Sequence, residues 1–191
     1  MMLVKENLRI LFIGNSHTYY NDMPVMVRRR FIEENGFDCE VTMIAHGGWF
    51  LAQHVEEPDV RFNIRCGHYD YVVLQEHAHP FGPEEKFFEA ARTLADWIKE
   101  AGSTPVIYMT WAKKDEPEAQ QRMTDAHRRI AEETGSLLAP VGEVWWGYRK
   151  SWPDLEMYNE DGAHASEAGS EFAAKYIWSV IHMDLFRKGK L

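Results

Sequence analysis

The stretch that decides the fold is "LRILFIGNSHTYYNDMP", residues 8–24. Its first seven residues, 8–14, form a short apolar run that ends abruptly in Gly14, Asn15 and Ser16. An apolar run of this length, closed by glycine and asparagine, is typical of a buried β-strand. The hydroxyl of Ser16 therefore stands where the strand ends, either as an ordinary turn residue or as a nucleophile presented by the sheet.

The rest of the chain repeats this alternation of apolar runs and amphipathic segments. Four more strands are expected, at 38–45, 70–75, 104–110 and 137–141. Helices are expected at 22–35, 84–101, 117–134 and 166–183, with one or two short ones within 50–66. Strands that alternate with helices pair in parallel through right-handed crossovers, and continuous apolar runs suit a sheet covered on both faces. The sequence therefore predicts one α/β domain over 1–191, a three-layer α/β/α sandwich around a five-stranded, mostly parallel sheet.

Composition narrows the function classes. The chain has 191 residues and a formal net charge of −9, which argues against nucleic acid as the partner. With two cysteines, Cys39 and Cys66, neither a structural zinc site nor a disulfide framework is expected. No run approaches the ~20 apolar residues that span a bilayer, and residues 1–9 are too charged for a signal peptide. A cytoplasmic protein without a membrane partner is the expectation.

Reactive side chains collect beyond the ends of the predicted strands. In parallel α/β sheets, sites form outside the carboxyl ends of the strands, so residues that follow different strands meet there. Residues with reactive or hydrogen-bonding groups follow all five strands. In strand order they are Asn15, Ser16 and His17; His46, Gly47 and Gly48; Gln75, Glu76, His77 and His79; Thr110 and Trp111; Asp161 and His164. The sequence therefore predicts one functional edge of the sheet.

These residue types match the needs of acyl transfer by a serine. A serine hydroxyl is a weak nucleophile that requires a base, usually histidine, and a carboxylate fixes the tautomer of that histidine. Ser16 supplies the nucleophile, His164 the base and Asp161 its partner. Developing negative charge on the substrate oxygen requires preorganised donors, and the N–H groups of Ser16 and Gly48 with the Gln75 amide are the candidates, with Gly47 as the rival of Gly48.

At the level of motifs, "IGNSHT", "GGW", "VVLQE" and "DGAHAS" resemble the ordered blocks of the SGNH hydrolase superfamily, the GDSL-like esterases. The resemblance spans residues 8–169. It implies a flavodoxin-like fold, Ser16 as nucleophile, His164 as base and Asp161 as its partner. It also assigns oxyanion roles to the N–H groups of Ser16 and Gly48.

The sequence departs from the family pattern at two positions. Asn15 stands where the G-D-S form has aspartate, and Gln75 stands where the third block has asparagine. Glutamine carries the same amide on a longer side chain, so Gln75 is expected to act as a third oxyanion donor. The alternative is that it only bridges main-chain groups at the strand end.

The substrate expected from these features is a small carboxylic ester, with O-acetylated carbohydrates as one possibility, and no cofactor or metal is expected. Trp49, Glu76 and His77 are candidates for substrate contact. One alternative is a metal-dependent phosphoesterase that uses the histidine cluster of His17, His46, His77 and His79, although no H-E-x-x-H spacing is present. Another is a catalytically weak ligand-binding module on the same fold. The oligomeric state is left open.

Overall fold

The computed structural model describes residues 8–191 and contains a sheet of five parallel strands in the order β2-β1-β3-β4-β5. The strands are β1 (Leu8–Gly14), β2 (Cys39–Ala45), β3 (Tyr71–Gln75), β4 (Thr104–Tyr108) and β5 (Leu137–Ala139). This is the strand order of flavodoxin-like folds. The predicted α/β sandwich with a five-stranded sheet is confirmed, and the sheet is parallel throughout. Most of the segment used in the signal-peptide argument, residues 1–7, lies outside the described residues.

Strand β1 lies in the middle of the sheet between β2 and β3, and its side chains alternate between two cores. Ile10 and Phe12 are fully buried in one hydrophobic cluster, and Leu11 and Ile13 are fully buried in the other. Because successive strand side chains point to opposite faces, a continuous apolar run indicates helices on both sides. Full burial of each such side chain contributes about 1.5–3 kcal/mol.

The helices cover both faces of the sheet. They are α1 (Ser16–Tyr19), α2 (Met23–Arg30), α3 (Leu51–Glu56), α4 (Pro58–Cys66), α5 (Glu84–Glu100), α6 (Ala119–Thr134), α7 (Val141–Ser151) and α8 (Glu167–Arg187). Helices α2, α7 and α8 contribute to the core with Ile10 and Phe12, and α3 to α6 contribute to the core with Leu11 and Ile13. Within residues 8–191, no helix is both long and apolar enough to cross a membrane.

Helix α7 is the main element that the sequence analysis missed. The apolar run at 137–141 predicts a strand over its whole length, but β5 stops at Ala139 and α7 begins after Pro140. Proline lacks the N–H group that would continue the pairing of the strand, and it is well tolerated at a helix start. Trp145 of α7 is fully buried and stacks on Trp111 at a ring distance of 3.9 Å. Tertiary packing therefore specifies this helix.

At the start of α2, the two polar residues whose types favour an N-cap do not cap the helix. Asp22 is its N-terminal flanking residue but makes no side-chain cap, and Asn21 does not cap the helix either. Instead, the Asn21 amide donates to the carbonyl oxygen of Ala165, in the segment that precedes α8. At α8, by contrast, Ser166 caps the helix, because its hydroxyl accepts a hydrogen bond from the N–H group of Gly169.

Candidate active site

The turn after β1 presents Ser16 at the first position of α1. Gly14 ends the strand so tightly that a Cβ atom there would lie 2.4 Å from Oγ1 of Thr18 and 2.6 Å from Oε1 of Gln75. The Asn15 side chain accepts a hydrogen bond from the N–H group of His17 at 3.1 Å and so caps the short helix. Only glycine therefore fits at the strand end. With β1 ending at Gly14 and α1 beginning at Ser16, the chain passes from strand to helix across Asn15 alone.

Ser16, His164 and Asp161 form a linear hydrogen-bonded chain. The Oγ atom of Ser16 lies 2.7 Å from Nε2 of His164, and Nδ1 of His164 lies 2.6 Å from Oδ2 of Asp161. Asp161 can only accept when ionised, so Nδ1 carries the imidazole proton and Nε2 accepts from the serine hydroxyl. This is the arrangement in which a histidine can remove the proton of a serine nucleophile. The structure thus brings together the three residues expected to act as nucleophile, base and orienting carboxylate.

The Asp161 carboxylate is also bound by the main chain of its own loop. Its Oδ1 atom accepts hydrogen bonds from the N–H groups of Ala163 and His164, both at 2.9 Å. Partial burial raises the pKa of Asp161, but the hydrogen bonds from the His164 ring and from these two N–H groups outweigh it and lower the pKa to about 2. The carboxylate is therefore ionised throughout the neutral range.

Long-range hydrogen bonds fix the position of the His164 loop. The indole N–H group of Trp111, which follows β4, donates to the Ala163 carbonyl oxygen at 2.9 Å. On the other side of His164, the Asn21 amide donates to the Ala165 carbonyl oxygen at 3.1 Å. The carbonyl groups of both neighbours of His164 are thereby tied to elements near Ser16.

The glycines after β2 lie at the same edge of the sheet. Gly48 has a φ of +73°, which an L side chain rarely adopts, and this is the conformational reason for glycine there. The side-chain nitrogen Nδ2 of Asn15 donates to the carbonyl oxygen of Trp49 at 2.8 Å. This hydrogen bond joins the glycine turn to the residue before Ser16. Gly47 lies close to Tyr19, because a Cβ atom added at Gly47 would stand 3.0 Å from the Tyr19 hydroxyl oxygen.

Gln75 is built into the turn that holds Ser16. Its side-chain oxygen accepts hydrogen bonds from the N–H group of Asn15 at 2.8 Å and from the Thr18 hydroxyl at 2.9 Å. Its amide nitrogen donates to the Glu76 carbonyl oxygen, and the residue is 1 % exposed. From the sequence, Gln75 could either donate to the oxyanion or bridge main-chain groups at the strand end. The structure shows that it holds the strand end through its acceptor.

The three candidates for substrate contact occupy different environments. Glu76 is 2 % exposed, and its two oxygens accept hydrogen bonds from the N–H groups of Leu51 and His77. Burial raises the pKa of Glu76 to about 7 against the lowering effect of these bonds. Trp49 and His77 are partly exposed, and His77 stacks on Phe50 at a ring distance of 4.2 Å. Glu76 therefore supports the two loops that carry these aromatic residues.

Two rings at the site were not singled out from the sequence as site residues. The Tyr20 ring lies flat on the His164 imidazole, with centroids 4.1 Å apart and planes 8° apart. The His17 ring lies 4.8 Å from the same imidazole, and burial, followed by the nearby His79, His164 and His77, holds the pKa of His17 well below its ordinary value. In the sequence, Tyr20 is only one of several aromatic residues beside predicted loops that could line the cleft. His17 is only one of the histidines considered for a metal.

Nothing in the geometry favours the metal-dependent alternative. Among residues 8–191, no group of three or more His, Cys, Asp or Glu side chains is arranged so that it could hold a metal ion. The histidines near Ser16 lie against one another as rings, with 5.1 Å between the centroids of His17 and His79.

Comparison with known proteins gives structural relatives. No family model matches the chain, and no curated protein matches it. A solved structure from Slackia heliotrinireducens, named an SGNH hydrolase, is 30 % identical and superposes with a TM-score of 0.79, covering 92 % of this chain and 100 % of the other.

More distant structures share the fold. A lipase/acylhydrolase from Enterococcus faecalis is 16 % identical, with a TM-score of 0.72 and coverage of 90 % of this chain and 94 % of the other. A carbohydrate esterase of family 3 from Talaromyces cellulolyticus is 11 % identical, with a TM-score of 0.70 and coverage of 94 % and 99 %. The similarity over nearly the whole length of the Slackia protein leads to one conclusion: the chain belongs to the SGNH hydrolase superfamily, the GDSL-like hydrolases.

Proposed function

We propose that this hydrolase is a serine esterase that cleaves small carboxylic esters through an acyl-enzyme. The observation that carries the proposal is the uninterrupted chain from Ser16 Oγ through His164 to Asp161, with distances of 2.7 and 2.6 Å. A chain of this kind generates an oxygen nucleophile at neutral pH without a cofactor.

The reaction divides into two transfers. As Ser16 Oγ bonds to the ester carbonyl carbon, its proton passes to Nε2 of His164, and Asp161 stabilises the imidazolium that forms. The bond between carbonyl carbon and alcohol oxygen then breaks, and the alcohol leaves with the proton from Nε2. Water repeats the sequence in the second transfer. It gives one proton to Nε2, attacks the acyl carbon and releases the acid, and Ser16 regains its proton.

We propose that the N–H groups of Ser16 and Gly48 stabilise the negative oxygen of each tetrahedral intermediate. Support comes from the position of Gly48 at the same sheet edge, tied to Asn15 through the neighbouring Trp49. Gln75 is proposed as the third donor. One hydrogen of its side-chain NH₂ group is donated to the Glu76 carbonyl oxygen, and the other would be donated to the substrate oxygen. Donors of this kind each contribute ~10²–10³ in kcat.

For the substrate, we propose a small ester whose alcohol part has a flat apolar face, as in an acetylated sugar. Trp49 lies against His46 at a ring distance of 4.1 Å, and Phe50 lies against His77, so two partly exposed aromatic pairs flank the serine turn. The Talaromyces relative is titled a carbohydrate esterase, which agrees with this choice. Glu76 is proposed to support these loops in place of a substrate contact.

A covalent probe tests the assignment of the nucleophile. A fluorophosphonate should attach once, at Ser16, and Ser16→Ala should abolish both labelling and hydrolysis of short p-nitrophenyl esters and acetylated sugars. Ser151→Ala, which changes an exposed serine at the end of α7, should behave as the wild type. An adduct on another serine would refute the assignment, and labelling of Ser16 without turnover of any ester would favour the ligand-binding alternative.

A further inference from the structure

The ring that covers the base of the triad has no role in the two transfers described above. We propose that Tyr20 is a positioning residue for His164. The face of the Tyr20 ring fixes the plane of the imidazole and stabilises the imidazolium that forms when Ser16 gives up its proton. This inference deepens the proposed function and rests on it.

The geometry of the pair is that of a stacked cation–π contact. The two ring centroids are 4.1 Å apart and the planes differ by 8°. A cation within about 6 Å of a tyrosine face is attracted by the negative charge of the π-system, and the attraction grows as water is excluded. The His164 side chain is 21 % exposed, and Tyr20 is also partly buried. Because the neutral imidazole gains much less from this face than the imidazolium, the contact favours the protonated state.

The position of Tyr20 is built into the chain. The two residues that follow it, Asn21 and Asp22, both have left-handed backbone conformations, with φ of 55° and 53°. Such conformations are costly for residues other than glycine and persist where the surroundings enforce them. Here the Asn21 amide donates to the Ala165 carbonyl oxygen at 3.1 Å and to the Ser170 hydroxyl at 2.9 Å. The residue after Tyr20 is thus tied to the residue after His164, which keeps the two rings together.

Other groups that act on the imidazole leave this contribution measurable. Asp161 supplies the opposing charge on the Nδ1 side, and Ser16 lies on the Nε2 side. His17 and His79 also act on His164, but burial lowers the pKa of both, to about 4 for His79, so both are neutral at pH 7. Lys113 and His77 affect His79 in turn. His17 and His79 therefore add no positive charge that would mask the effect of the tyrosine face.

The test compares variants that keep or remove the aromatic face. Tyr20→Phe keeps the face and should retain kcat within about threefold. Tyr20→Leu should lower kcat by ~3–30-fold and move the midpoint of the acidic limb of the kcat/KM profile to lower pH by about 0.5–1 unit. Trp152→Leu, which removes an aromatic ring that is 60 % exposed, should move neither quantity.

A spectroscopic reading separates this inference from the proposed function. In the wild-type protein, the ring current of Tyr20 should shift the His164 carbon-bound protons upfield, and Tyr20→Leu should abolish that shift whether or not any ester is turned over. His164 protons at ordinary positions in the wild type would overturn the stack. A loss of kcat in Tyr20→Leu with an unmoved pH midpoint would show a merely structural role and overturn the stabilisation of the imidazolium.

Discussion

Replacing Asp161 by asparagine tests the triad most sharply, because the change preserves shape and reverses one hydrogen bond. In the wild type, Oδ1 accepts from two main-chain N–H groups and Oδ2 accepts from Nδ1 of His164. An asparagine has one oxygen for these two positions. With its oxygen on the two N–H groups, its NH₂ group faces Nδ1, and the imidazole must place its proton on Nε2. That tautomer cannot accept the proton of Ser16.

The magnitude follows from the same contacts. The opposite amide orientation leaves two N–H donors without an acceptor, and an unsatisfied donor costs about 1–3 kcal/mol when buried. One such cost already restricts the productive orientation to about 1–15 % of molecules, at 1.4 kcal/mol per factor of ten. Loss of the carboxylate charge opposite the imidazolium lowers kcat by about another tenfold. Together these effects amount to ~10²–10³ in kcat. Asp161 is 44 % exposed, so water screens part of both, and we expect kcat to fall ~10–10³-fold.

The assay is hydrolysis of a short p-nitrophenyl ester, with kcat and KM measured for each variant. Glu160→Gln removes the same charge from the adjacent position and should leave kcat unchanged. His164→Ala should lose more than Asp161→Asn, because the histidine transfers the proton and the aspartate orients it. Asp161→Asn should be no better than Asp161→Ala despite its preserved shape. An Asp161→Asn enzyme within threefold of the wild type would refute the assigned tautomer.

Three further changes address the support of the site. Gln75→Asn shortens the side chain, so its oxygen cannot reach both of its present donors and its amide is drawn back from the proposed oxyanion position. We expect kcat to fall by ~10²–10³ with little change in KM, and near-wild-type turnover would show that Gln75 is not an oxyanion donor. The pKa of Glu76 is raised to about 7 in the folded state. Its contribution to the free energy of unfolding is therefore fully present below about pH 4.5 and is lost as the pH rises through 7. The total loss is about 3 kcal/mol, at 1.36 kcal/mol per pH unit. Glu76→Gln should flatten this decline in urea unfolding between pH 5 and pH 8, and parallel curves would contradict the raised pKa. Gly142→Ala would place a Cβ atom 1.8 Å from a main-chain oxygen and should destabilise the fold by about 3 kcal/mol in the same unfolding assay, whereas an unchanged midpoint would show that α7 can shift.

The sequence by itself determined the layered fold and predicted the three residues of the proposed triad. The alternation of apolar runs with amphipathic segments is a local property, and it predicted five strands and the helices between them except α7 and the short α1. The positions of Ser16 after β1 and of the D-x-x-H block before α8 then followed, because parallel strands deliver their carboxyl ends to one edge. Knowledge of three-dimensional contacts was unnecessary for this step.

Only the tertiary structure decided how the triad is held. The Tyr20 stack on His164, the acceptor role of Gln75 and the burial of Glu76 each depend on residues that are distant in sequence. The sequence identified Gln75 as an amide and Glu76 as a carboxylate but gave no sign of which main-chain groups they meet. Side-chain type is a local property, whereas hydrogen-bond partners, burial and pKa depend on how distant segments pack around each group.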